Sequence, residues 1–264
     1  LAITTTATSN IGLGANAVNS ITTGDYNVGL GDGAGTAITT GSKNVAFGSV
    51  AADAITVGGE NVAIGYDALG ADTQGSHSVA IGASALRTQN FTSATNTFNT
   101  AVGSFTMYSN TTGANNTAVG RSALYANTTG ANNTASGYRA LYSNTTAQKN
   151  SAFGYYALDA NTTGANNTAL GAQALQWTTT GANNTAVGNL SLQANTTGTR
   201  NTASGFESLK ANTTGNYNTA VGWSSLLANT TASFNTGIGD YSLATNTTGA
   251  RNTAIGQSSL RNNT

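Results

Sequence analysis

The chain holds one histidine, His77, and no cysteine among its 264 residues. Catalysis by the usual nucleophile–base pairs needs an imidazole or thiolate poised against a hydroxyl or carboxylate, so no ordinary Ser-His-Asp or Cys-His pair can be drawn. His77 stands beside a turn and reads as a surface histidine. The run Gly29-Leu30-Gly31-Asp32-Gly33-Ala34 spells a G-x-G-x-x-A pattern. A dinucleotide loop must close a strand and open a helix, whereas this run lies inside a repeat and opens none. The acidic residues of the first half are scattered and lack the nonapeptide spacing of calcium-binding β-rolls. No catalytic, cofactor-binding or metal-ligating residue is therefore assigned, and neither enzyme activity nor a cofactor is expected.

Aromatic residues are the better candidates for contact chemistry. Tyr108, Tyr125 and Tyr142 recur at a fixed 17-residue interval, as do the pairs Tyr138 and Tyr155, and Phe206 and Trp223. An exposed aromatic row combines flat apolar area with a polar handle and suits a host-surface glycan or protein. The alternative is that the rings pack on one another along a ladder or across chain interfaces.

The elements that position these rings follow from the interval itself. Asn-Thr-Ala-Val-Gly and its variants recur every 17 residues, with the glycine at Gly14, Gly31, Gly48, Gly65 and Gly82, then from Gly103 through Gly256. The single irregular step, Gly82 to Gly103, is 21 residues. A short fixed period over a whole chain means a solenoid, here of about fifteen 17-residue coils. With Asn116 as repeat position 1 and Gly120 as position 5, position 4 is apolar except at Ser136 and Ser204. Position 3 is Ala or Gly, and position 9 is mostly Leu. Alternation along a strand sends positions 2 and 4 to one side and positions 1, 3 and 5 to the other, so one side is large and one tiny. Positions 8 and 9 are expected to begin a second short strand. Asn-Thr-Thr-Gly at positions 12 to 15 is turn chemistry, and the glycines at positions 5 and 15 are expected to supply positive φ at two bends. Stacked coils would repeat at about 4.8 Å, giving Asn ladders at positions 1 and 12, a Thr rank at position 13 and a rod of roughly 70 Å.

The phrases Asn61-Val62-Ala63-Ile64-Gly65 and Ser78-Val79-Ala80-Ile81-Gly82 resemble the head-domain repeats of YadA-type trimeric autotransporter adhesins. Similar Asn-Thr-Ala-Val-Gly arrays occur in phage tail fibres. The resemblance covers practically the whole chain and implies an all-β fold, a parallel β-solenoid of the left-handed β-roll kind. It also implies three chains side by side, with position 4 packed between chains and Ala or Gly lining each roll. A monomeric solenoid with positions 4 and 9 inside is the competing arrangement. YadA-type heads have shorter coils, and no heptad stalk, neck or anchoring barrel segment occurs in these residues.

One solenoid is expected over residues 1–264: degenerate acidic coils over 1–86, an irregular coil with a four-residue insertion over 87–98, and regular coils over 99–264. Six acids against one lysine give the first segment −5, and eight bases against three acids give the remainder +5. Head-to-tail stacking into a filament would bring opposite charges together, with Leu1, Ala2 and Ile3 meeting Asn262, Asn263 and Thr264 of the next unit. The expected function is a non-enzymatic structural fibre or adhesive shaft, extracellular or at the cell surface. A phage tail-fibre shaft that serves receptor binding is one alternative. Ice binding by regular Thr ranks is another. The expected partner is the chain itself, as a homotrimer, with no nucleic acid. No apolar run approaches the roughly 20 residues of a membrane helix, so no membrane insertion is expected.

Overall fold

A computed structural model describes residues 7–263 and gives an all-β parallel solenoid, each repeat forming one coil. By internal contacts the chain divides into two units, meeting between Asn132 and Asn133. In the first, the repeat strands are β1 (Ile11–Leu13), β2 (Val28–Leu30), β3 (Val45–Phe47), β4 (Val62–Ile64), β6 (Val79–Ile81), β8 (Thr100–Val102) and β9 (Thr117–Val119). Two short strands at the insertion, β5 (Gly75–Ser76) and β7 (Thr95–Asn96), pair separately. The second unit stacks β10 (Thr134–Ser136), β11 (Ser151–Phe153), β12 (Thr168–Leu170), β13 (Thr185–Val187), β14 (Thr202–Ser204), β15 (Thr219–Val221), β16 (Thr236–Ile238) and β17 (Thr253–Ile255). Like meets like across most pairs: Val45, Ala46 and Phe47 lie beside Val62, Ala63 and Ile64, while Ser136 and Ser204 lie beside Phe153 and Val221. The extra residues between β6 and β8 leave this register intact, because Ala80 still pairs with Ala101.

The structure decides which strand face lines the coil. Position 3 is the inner face, with Ala46, Ala118, Ala152 and Ala186 wholly buried, while most large residues at position 4 point outward. Leu at position 9 fills the interior: Leu124, Leu158, Leu192 and Leu226 have no exposed surface. One Leu and a few Ala per coil make a narrow core, so the polar residues inside must be fully bonded.

Asparagine supplies those bonds. Asn184 N–H donates to Asn167 Oδ1 at 2.9 Å, and Asn184 Nδ2 donates to the same oxygen at 3.2 Å and to the Gly198 carbonyl at 2.8 Å. The position-15 carbonyl is a shared acceptor in the coils that carry Asn at position 12. That of Gly215 takes Asn201 Nδ2 at 2.8 Å and Asn212 Nδ2 at 3.0 Å. Positions 1, 12 and 15 are thereby drawn together, and each amide also bonds the coil before it, as Asn212 Nδ2 does to Asn195 Oδ1 at 2.8 Å. A carboxylate could not donate and a hydroxyl could not span both partners, which explains Asn at both ladders. The Thr rank at position 13 is spent the same way: Thr213 Oγ1 donates to the Thr230 carbonyl at 3.1 Å.

Two expectations about the bends are corrected. Positions 8 and 9 begin no strand. Positions 7 and 9 adopt left-handed φ, as at Gln173 (58°) and Leu175 (52°), and a turn replaces extended backbone. The glycine at position 15 has no positive φ in any coil; position 17 has it instead, as at Asn166 (60°). A non-glycine left-handed residue costs about 1 kcal/mol or more. Each such residue here turns its N–H toward a neighbouring coil: Gln173 to the Tyr155 carbonyl at 2.8 Å, Leu175 to Ser191 at 3.0 Å, Asn166 to Gln148 at 3.1 Å. Stacking thus offsets the local strain. Position 5 does need glycine, since Gly171 has φ of 139° and an added Cβ would lie 2.6 Å from the Gly188 carbonyl.

At the insertion the position-12 ladder changes composition. Ile21, Ile38 and Ile55 occupy it in the early coils, and Asn110 and Asn127 farther on. Between them lie buried Asp72 and Gln89. Gln89 Nε2 donates to Asp72 Oδ2 at 2.7 Å and to Ser78 Oγ at 2.8 Å, while its Oε1 accepts from Asn99 at 2.8 Å. Gln89 is long enough to join an apolar rank to an amide rank, and Phe91 in the inserted loop closes over the junction at 7% exposure.

Candidate interaction surfaces

The outer strand face is a regular surface in each unit. Positions 2 and 4 present it, one rank mostly Thr and one rank mostly aliphatic or aromatic. In the second unit Phe153, Leu170, Val187, Val221, Ile238 and Ile255 are all exposed at position 4, from 36% for Val187 to 69% for Ile255. In the first unit Leu13, Phe47 and Val119 are exposed there. The face carries no charged residue at either position. A single solvated apolar residue is ordinary, but a continuous uncharged rank of them is a surface suited to burial.

The aromatic residues form ladders on the turns, and their ring faces are turned toward one another. Tyr108 and Tyr125 stack at 5.2 Å with planes 7° apart. Arg87 lies 5.6 Å from the Tyr108 centroid and donates from Nη1 to its Oη at 2.7 Å. In the second unit Tyr142 is covered by the Arg139 guanidinium at 4.1 Å. Tyr138 and Tyr155 stack at 5.6 Å, and Tyr156 meets both edge-on, at 5.5 and 4.3 Å. Phe206 and Trp223 meet at 5.9 Å, edge to face.

Further members of these ladders escaped the sequence reading. Tyr217 and Phe234 stack at 4.9 Å and 6°, with Arg200 over Tyr217 at 5.2 Å and Arg251 over Phe234 at 5.8 Å. All four occupy position 17 in consecutive coils, so counting by 17 would have found them. The Arg139–Asp159 pair was also missed. Its Nε–Oδ1 distance is 3.0 Å, and it joins position 7 of one coil to position 10 of the next. Burial raises the Asp159 carboxyl above its ordinary range against the opposing pull of Arg139.

Charged side chains at position 17 of the first unit form a row of their own. Glu60 lies between Lys43 Nζ at 3.1 Å and His77 Nε2 at 3.0 Å, and the hydrogen bond from Lys43 holds its carboxyl below the usual range. His77 packs against Phe98 at 5.3 Å with planes tilted by 44°, so this histidine belongs to a partly solvated ladder. Gly29 to Leu30 lies in β2 and Gly33 in the following turn, with no helix among the described residues. Of the proposed end-to-end contacts, Leu1, Ala2, Ile3 and Thr264 lie outside the described residues. Asn262 is exposed, and Asn263 Nδ2 continues the position-12 ladder to Asn246 Oδ1 at 3.1 Å.

Neither known protein families nor curated proteins give a match to this chain.

Proposed function

We propose that the chain is a non-enzymatic structural fibre or adhesive shaft that works outside the cell as a side-by-side homotrimer. The observation that carries this reading is the outward-facing apolar rank at position 4. A partner must cover an uncharged surface whose apolar groups recur at nearly every coil, about 4.8 Å apart, with Ser136 and Ser204 the exceptions. A second copy of the same solenoid matches that spacing along many coils at once, which an irregular globular surface does not. The resemblance to YadA-type heads and phage tail fibres supports the same arrangement, and a tail-fibre shaft remains the alternative biological setting.

The surface chemistry supports a scaffold. Stacked ladders leave few aromatic faces free: Arg200 and Arg251 cover the two outer faces of the Tyr217–Phe234 pair. Glycan stacking on those rings has little room, and contact through ring edges and guanidiniums fits better. Ice binding draws less support, because the position-13 hydroxyls donate to backbone carbonyls and the exposed position-2 threonines, such as Thr117 and Thr168, share their face with the apolar rank that a neighbouring chain would cover. Sedimentation equilibrium of the chain in native buffer tests the assembly. The expected species has three times the 26.3 kDa of one chain. A single 26.3 kDa species across the concentration range would overturn the reading.

A further inference from the structure

A periodic interface has a register problem. If every coil offers the same Thr and the same aliphatic group, sliding one chain past another by one coil changes few contacts, and the aligned state has little advantage. A lasting side-by-side assembly needs some coils to differ, as a single unusual residue fixes register in a coiled coil.

The second unit contains such coils. Position 4 is small at Ser136 and Ser204. In those same two coils position 6, just beyond the bend at position 5, is aromatic: Tyr138 and Phe206. The coil after each adds a second ring at position 6, Tyr155 or Trp223, against which the first ring packs. The two coils that follow carry a large aliphatic residue at position 4 and Ala, Asn, Asp or Gln at position 6. Small groups at position 4 thus coincide with aromatic groups at position 6, and the whole arrangement recurs after four coils, 68 residues.

We propose that Ser136 and Ser204 are notches that receive Tyr138 and Phe206 of a neighbouring copy, locking the chains in axial register. The inference rests on the side-by-side reading given above. In a rotationally symmetric trimer each contact is heterologous, so the turn edge of one chain faces the strand face of the next at the same height. The missing volume at position 4 is then supplied by the neighbour's ring. Stacking on Tyr155 and Trp223 holds that ring rigid, so little side-chain freedom is lost on docking. A slip of one coil that carries each ring toward the next coil of its neighbour sets Tyr138 and Phe206 against Phe153 and Val221 and leaves both serine notches unfilled. The opposite slip brings Tyr155 and Trp223 to the notches but sets Tyr138 and Phe206 against Val119 and Val187. A slip of four coils would restore the match only by abandoning half of the second unit's contacts.

The chain's lack of cysteine makes the test direct. Chains bearing Ala172→Cys at the turn edge are mixed with chains bearing Leu170→Cys (same coil) or Val187→Cys (one coil on) on the strand face and oxidised. A disulfide, unlike a longer linker, does not bridge an extra coil of about 4.8 Å. With natural keys, same-number products (both cysteines in the same coil) should exceed one-coil-shifted products by more than about tenfold, the ratio set by ~1.4 kcal/mol of mispairing. The quadruple variant Ser136→Val, Ser204→Val, Tyr138→Ala, Phe206→Ala should bring the two product classes within about threefold, or ~0.7 kcal/mol. All four sites lie at least partly exposed, and circular dichroism verifies that the variant keeps its coils. If it loses them, a second variant that moves one key by a coil (Ser204→Val and Phe206→Asn with Val187→Ser and Asn189→Phe) is cross-linked to natural chains instead, where shifted products should rise. Unchanged same-number preference in a folded variant overturns the register key while leaving the trimer standing. A monomer in sedimentation overturns the reading on which it rests.

Discussion

Completing the position-12 amide ladder at Thr178 should stabilise the fold. In the second unit this rank reads Asn at every coil from Asn144 to Asn263 except at Thr178. The break leaves two buried oxygens without partners, Asn161 Oδ1 below and Thr178 Oγ1 itself. Away from the break and the last coil, an Asn of the rank makes up to three such bonds. Asn212, for example, donates to Asn195 Oδ1 at 2.8 Å and to the Gly215 carbonyl at 3.0 Å, and accepts from Asn229 Nδ2 at 3.0 Å. Thr178→Asn would supply the matching set to Asn161 Oδ1, to the Gly181 carbonyl and from Asn195 Nδ2.

Three bonds at about 1 kcal/mol each, against about 0.8 kcal/mol for the buried methyl lost, leave a gain of about 2 kcal/mol. For a chain of this size that corresponds to a rise in melting temperature of roughly 4–8 °C. Unfolding of a repeat array need not be two-state. Hydrogen exchange at the amides of Asn161, Thr178 and Asn195 is therefore the cleaner readout, with protection expected to increase locally. Asn212→Thr should do the reverse, by a similar amount. If Thr178→Asn leaves exchange and melting unchanged while Asn212→Thr is harmless, the ladder does not stabilise the coil and the argument fails.

Gly171→Ala should destabilise by more than about 2 kcal/mol, from left-handed strain and the backbone clash together. Gly164→Ala should also destabilise, since its Cβ would clash with the Gly181 carbonyl oxygen, but by less, because Gly164 carries no left-handed φ and Ala147 and Ala232 already occupy that repeat position; denaturant midpoints compare the two. Leu158→Ala, in the narrow core, should cost about 2–5 kcal/mol by the same measurement. Leu170→Glu, on the outer face, should leave circular dichroism intact and convert the oligomer to monomer in sedimentation. Asp53 is held above its ordinary 3.8 by burial and by the charge of Asp67, so its folded form binds protons more readily than its unfolded form. Stability from this group is then lost as pH rises from below that value. Asp53→Asn should stabilise by less than about 1 kcal/mol at neutral pH, with no effect at acid pH, because the site is mostly solvated.

The 17-residue interval made the parallel solenoid legible, and alternation within Asn-Thr-Ala-Val-Gly separated a tiny side from a large one. Alternation alone has no sign, however. It does not say which side is inside, since both Ala118 and Val119 are apolar and either could line a coil. The choice is made by the turn. Leu124 at position 9 takes left-handed φ of 54° and projects into the interior, leaving room opposite it only for alanine. Propensity reasoning could not foresee that, because a leucine at positive φ is unfavourable in isolation and becomes acceptable only when its N–H finds an acceptor one coil away. The aromatic and cationic row at position 17 can be counted from the sequence, but its outward direction depends on another left-handed residue, as at Tyr217 and Phe234. Local rules therefore located the coils but not their orientation. Once stacking reverses the penalty at positions 7, 9 and 17, the side chain of Val119 has no place inside, and the apolar face to which it belongs is turned outward.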